Sequence, residues 1–101
     1  MKMLMLITIP NEPFNTFVRD GVVAKKIKKI LDACKPEAAY FTDQDGKRGG
    51  ILVVDVADSS KIPGLAEPWF LTFNADVKLR IAMSPEDLGQ AGLDEIGKKW
   101  R

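Results

Sequence analysis

A chain of 101 residues is the length of one domain, and a domain this short buries only a modest share of its surface, so any large extra apolar face needs a partner. Apolar residues make up 46% and charged residues 29%, which is a globular composition, and the net charge of +1 supplies no general attraction for nucleic acid or anionic lipid. A single cysteine, Cys34, excludes an internal disulfide and agrees with a reducing cytoplasm. The absence of histidine removes the usual base near neutral pH, the usual zinc ligand and the common proximal haem ligand, so neither metal nor cofactor is expected.

The chain opens on Lys2–Ile9 (KMLMLITI), too short to span a membrane and stopped by Pro10 and Asn11. Both of its alternating faces are apolar, which predicts a strand covered on two sides. From about Pro13 a helix is predicted as far as Pro36, because Phe14, Phe17, Val18, Val22, Ile27, Ile30, Leu31 and Cys34 recur at steps of three and four, with Gly21 a weak point. The opposite face carries Lys25, Lys26, Lys28 and Lys29, a solvated face in preference to a nucleic-acid surface.

A second strand is predicted over residues 37–42, a turn over 43–50 (DQDGKRGG), and a third strand over 51–56 (ILVVDV), again apolar on both faces. These two strands form a hairpin. A second helix, capped by Ser59 or Ser60, carries Ile62, Leu65, Ala66, Trp69, Phe70 and Phe73 at helical spacing, and Pro68 predicts a kink or division before Glu67. Residues 77–83 (VKLRIAM) alternate cleanly, with Val77, Leu79, Ile81 and Met83 on the buried face. Ser84, Pro85, Glu86 and Asp87 then start a third helix weakened by Gly89, Gly92 and Gly97.

The order strand, helix, strand, strand, helix, strand is the split βαβ, or ferredoxin-like, arrangement, and it predicts one α+β domain over residues 1–101 with a four-stranded antiparallel sheet, helices on one face and a short C-terminal helix. It places the first and third strands centrally, and these are the two that are apolar on both faces. Two helices cover only one face of such a sheet, so the other predicts an interaction surface, most simply for a second copy of the chain.

The segments KMLMLITI, GKRGGILVVDV, SSKIPGLAEPWFLTF and DVKLRIAMSPEDL, in this order and over nearly the whole chain, resemble the dimeric α+β barrel superfamily, which includes muconolactone isomerase-like and YciI-like proteins and antibiotic-biosynthesis monooxygenases. The resemblance implies a homodimer with a ligand cleft between sheet and helices. It leaves the chemistry open, since the superfamily holds isomerases, haem-dependent enzymes and cofactor-free oxygenases, and the lack of histidine counts against the histidine-dependent ones.

Candidate site residues follow from their chemistry. Glu67, an acid beside Pro68 and two aromatics, is a candidate general base whose pKa an apolar cleft would raise, against the alternative of a solvated helix face. Asp55, in an otherwise apolar strand, is a second candidate acid or a structurally paired carboxylate. Tyr40, Trp69 and Phe70 are candidate cleft walls, and Arg80 or Lys78 a candidate anchor for an anion. Lys47 and Arg48 lie among glycines but lack the spacing of a phosphate loop. Cys34, on the apolar stripe near a helix C-terminus, is expected to be a packing residue. The expected function is binding of a small organic molecule, with an isomerase-like or oxygenase-like reaction as one form of it and a non-catalytic homodimeric module as the alternative. No nucleic acid or membrane partner is expected.

Overall fold

A computed structural model describes all 101 residues. Its elements are β1 (Lys2–Ile9), α1 (Phe14–Arg19), α2 (Val23–Cys34), β2 (Ala38–Gln44), β3 (Lys47–Asp55), α3 (Ile62–Phe73), β4 (Asp76–Ile81), α4 (Pro85–Gly89) and α5 (Leu93–Lys99). The four strands make one antiparallel sheet in the order β2-β3-β1-β4, so the two strands with apolar residues on both faces are indeed the central ones.

The pleat sorts the side chains by parity. Met3, Met5, Ile7 and Ile9 of β1 point to the helices together with Leu52 and Val54 of β3, and all six are buried. Trp69 and Phe73 of α3 close over them, both with no exposed surface, and Ile30 of α2 joins the same core. Leu4 and Leu6, opposite Val53 and Ile51, project from the other face, where no helix lies, and remain half-exposed. The edge strands add Ala38 and Tyr40 on one side of this open face and Lys78 and Arg80 on the other.

Several boundaries differ from expectation, each for a local reason. The first helix is two helices, because Gly21 takes φ +71°, a left-handed conformation that glycine reaches at little cost and that ends α1. The hairpin turn is two residues long: Asp45 and Gly46 take φ +53° and +79°, the pair of positive values that an Asp-Gly type I′ turn requires, so β2 and β3 pair up to Gln44 and Lys47. Asp58, in place of either serine, caps the helical turn before α3, its carboxylate accepting from the Ser60 amide at 2.9 Å.

Pro68 does not divide the second helix. α3 runs through it from Ile62 to Phe73. The missing amide costs about 3 kcal/mol, but Ala66, Trp69 and Phe73 bury both halves of the helix against the sheet, and packing outweighs propensity. Asn74 ends α3 in the left-handed region at φ +56°, as expected of that residue.

After β4, which stops at Ile81 and not at Met83, the chain leaves the body. Ser84 and Asp87 form a reciprocal capping box that starts α4, and Gly92 at φ +73° separates α4 from α5, so the third helix also becomes two. Neither buries a residue. The radius of gyration of 17.2 Å exceeds the roughly 13 Å of a compact 100-residue domain, and the molecule is 60 Å long but 28 and 19 Å across. No helix is long and apolar enough to cross a membrane.

Candidate functional site

A cleft of about 260 Å³ opens between α1, α2 and the Ile9 end of the sheet, lined by Ile9, Phe14, Ile27, Phe41, Thr42, Arg48 and Gly49. Strand alternation builds it. Phe41 pairs with Gly50 and Asp43 with Arg48, so Phe41 and Arg48 leave their strands toward the helices. Gly50 carries no side chain there, and a Cβ at that position would stand 3.4 Å from the Phe41 ring, so a larger residue would crowd the cleft wall.

One cation serves this apolar space. The Arg48 guanidinium lies over the Phe14 ring, 4.4 Å from its centroid, and donates from Nη1 to Asn15 Oδ1 at 2.7 Å. The loop before α1 fixes both partners: the Glu12 carboxylate accepts from the Thr16 amide and hydroxyl, each at 2.9 Å, and the Asn15 amide donates to the Asn11 carbonyl at 2.7 Å. No carboxylate pairs with Arg48, so it keeps donors for an incoming anion.

The residues singled out in the sequence do not converge on this cleft. Glu67 is exposed on α3, while Trp69 beside it is wholly buried, so no cleft opens between them. The Trp69 indole N–H finds no acceptor, a cost of about 1–3 kcal/mol that burying a side chain of this size, worth roughly 4–6 kcal/mol, outweighs. Phe70 points outward. A groove of about 290 Å³ does flank Pro68, but it runs between α2 and α3 and is lined by Lys26, Lys29, Ile30, Ala33, Pro68, Leu71 and Thr72.

Tyr40 is 68% exposed on the open face, one residue out of phase with the cleft. Arg80 shares that face but stands at its far edge, three strand spacings or about 14 Å away. Asp55 closes its strand and accepts from the amino group of Met1 at 2.9 Å; that ammonium holds its carboxyl below the usual range. It is a paired carboxylate at a strand end. No three of Asp, Glu and Cys come together as a metal cluster would require.

Cys34 is half-buried against the core, and desolvation pushes its thiol above the ordinary value. Brief treatment of the native protein with a thiol reagent at pH 7 is expected to label little of it, with labelling rising as the pH is raised. Rapid stoichiometric labelling at pH 7 would show that the sulfur is open to solvent.

No family model and no curated protein sequence matches the chain. Among solved structures, the 5-chloro-2-hydroxyhydroquinone dehydrochlorinase of Burkholderia phenoliruptrix AC1100, in complex with 2,5-dihydroxybenzoquinone, superposes with a TM-score of 0.60 at 12% identity, covering 85% of this chain and 97% of that one. The chain has the ferredoxin-like α+β fold. A designed protein, Ferredog-Diesel, matches with a TM-score of 0.43 at 7% identity over 79% of this chain and 83% of that one. The likeness read in the four sequence segments and the superposition therefore agree on fold.

Phe14, Asn15, Phe41 and Arg48 are the candidate site residues that sequence reasoning passes over or sets aside. The signal for Phe41 and Arg48 is the Asp45-Gly46 dipeptide. Taken as a two-residue turn, it puts Arg48 opposite Asp43 and on the same face as Phe41.

Proposed function

We propose that this protein binds a small planar organic anion in the cleft between its sheet and α1–α2, with Arg48 holding the anionic group and Phe14, Phe41, Ile9 and Ile27 enclosing the ring. The observation that carries this reading is the single arginine, unpaired with any carboxylate, at the mouth of an otherwise apolar space. An apolar pocket with a few convergent polar groups is the usual form of a small-molecule site. The ring compound bound by the superposing dehydrochlorinase is of the same size class.

The lining holds no carboxylate, thiol or phenol to move a proton, so the proposal is binding, and neither Glu67 nor Asp55 serves as a base there. We further propose a homodimer in which the open face bearing Leu4, Leu6, Ile51 and Val53 is covered by its counterpart, because four half-exposed aliphatic side chains in the middle of a sheet need a cover.

Nuclear magnetic resonance titration with benzoate and with 2,5-dihydroxybenzoquinone tests the site. Amide shifts are expected at Phe14, Phe41, Arg48 and Gly49, and Arg48→Gln should weaken binding about 10- to 100-fold, since a hydrogen-bonded charge contributes about 1.5–3 kcal/mol. Shifts confined to other residues, or affinity unchanged by Arg48→Gln, would remove the proposal.

A further inference from the structure

Residues 82–101 carry more apolar surface than a solvated tail has use for. Met83, Leu88, Leu93, Ile96 and Trp100 are all exposed, Trp100 at 78%. Leu93 and Ile96 of α5 and Trp100, which caps its C-terminus, follow one another at steps of three and four, which sets them toward one side of the helix. A concave notch of about 640 Å³ between α4 and α5 is lined by Leu88 and Leu93 together with Asp94 and Glu95.

The segment is nonetheless ordered at its root. The Ala82 amide donates to the Lys2 carbonyl at 2.9 Å, and the Ser84–Asp87 capping box starts α4. Helices of five and seven residues do not hold their shape in water without a surface to pack on, because isolated helices below about 12–15 residues are marginal. Neither helix packs on its own domain, which the elongated shape of the molecule leaves behind.

We infer that residues 82–101 form an arm that docks along the β4 edge of the open sheet face in a second copy of the chain, beside the sheet-to-sheet contact, each copy embracing the other. The inference rests on the homodimer proposed above and adds what holds it. Two observations favour a second copy as the occupant. The first is area: four strands about 4.8 Å apart, of 8, 7, 9 and 6 residues, present about 500 Å² of sheet, while a stable interface buries about 800 Å² on each side, so the sheet alone falls short and the arm supplies the remainder.

The second is charge. Lys78 and Arg80 on the open face enter no ion pair, and Glu86 and Asp94 in the first two-thirds of the arm enter none either, while Glu95 already holds Lys98 and the unpaired Lys99 and Arg101 lie at the arm's far end. Under a two-fold axis the acids of one arm meet Lys78 and Arg80 of the partner subunit, twice. Trp100 is then the anchor expected of such an interface, a large aromatic set among aliphatic neighbours.

Two measurements on the full chain test this. Sedimentation equilibrium should show a dimer for the unaltered protein and, for Leu93→Asp with Trp100→Ala, a dissociation constant raised about 100-fold or more, with the circular dichroism of the body unchanged. For the second, a spin label on Arg101→Cys in a Cys34→Ser background is mixed with ¹⁵N-labelled unaltered protein. Broadening of Leu4, Leu6, Lys78 and Arg80 amides in the labelled copy is expected. A dimer in which the arm variant associates normally and those amides stay sharp would overturn the arm and leave the sheet-to-sheet dimer standing; a monomeric unaltered protein would overturn both.

Discussion

Trp69→Ala is expected to bring the protein to the edge of unfolding. The indole has no exposed surface, stacks on Phe73 with ring centroids 6.0 Å apart, and sits where α3 crosses the sheet. Removing so large a buried side chain costs about 3–5 kcal/mol, of a total that for a domain of this kind is about 5–15 kcal/mol. Deleting the unpartnered indole N–H also removes its desolvation penalty, which trims this loss without cancelling it. Thermal unfolding followed by circular dichroism should show a midpoint lowered by more than about 12 °C. A shift of only a few degrees would mean that Trp69 is not a core residue.

Gly49→Val should have the next largest effect, and its direction opposes strand propensity. Gly49 lies in β3 opposite Thr8 of β1, and a Cβ there would stand 2.8 Å from the Ile7 carbonyl oxygen and against the Gln44 side chain. Valine gains up to about 1 kcal/mol as a strand former, but a clash with backbone cannot be relieved by a rotamer, and overpacking costs about 1–3 kcal/mol. The steric term wins. Urea denaturation should therefore show a lower midpoint for Gly49→Val, whereas Gly64→Ala in α3, where a Cβ meets nothing within 4 Å, should raise the midpoint, with a gain of about 0.5–1 kcal/mol in stability. If both substitutions stabilised the protein, the close approach of β1 and β3 at Gly49 would be wrong.

Those two positions also show how much of the molecule was legible in its residues. The helical spacing of Ala66, Trp69 and Phe73, the apolar alternation of Met3, Met5, Ile7 and Ile9, and the Ser84–Asp87 start signal each depend on neighbours close in sequence, and each marks an element that the structure contains. Element order then set the sheet order. The cleft was less legible because it depends on register. Placing a wide loop over residues 43–50 left the pairing of β2 with β3 undetermined, and a shift of one residue in such a pairing exchanges the two faces of a strand. With the register open, Tyr40 reads as the cleft wall where Phe41 stands, and Arg48 reads as a loop residue. Pro68 misled in the opposite way: its local preference was correctly read, but long-range burial of Trp69 and Phe73 decided the outcome. That α4 and α5 stand away from the body is a fact of tertiary contact with no local signature.

The hydrogen bond from Arg48 to Asn15 fixes the guanidinium before any ligand arrives. One of its five N–H donors is engaged, by an amide oxygen at 2.7 Å, and the Phe14 ring lies against the guanidinium, so its direction is set while the remaining donors stay free. For the proposed ligand this separates orientation from charge: Asn15 and Phe14 aim the cation, and none of the partners that hold it is a carboxylate. A carboxylate or phenolate then brings a formal charge that a neutral carbonyl lacks, and its hydrogen bond to the guanidinium is correspondingly stronger. Acidification below such a ligand's own pKa would weaken binding and leave the Arg48–Asn15 bond in place.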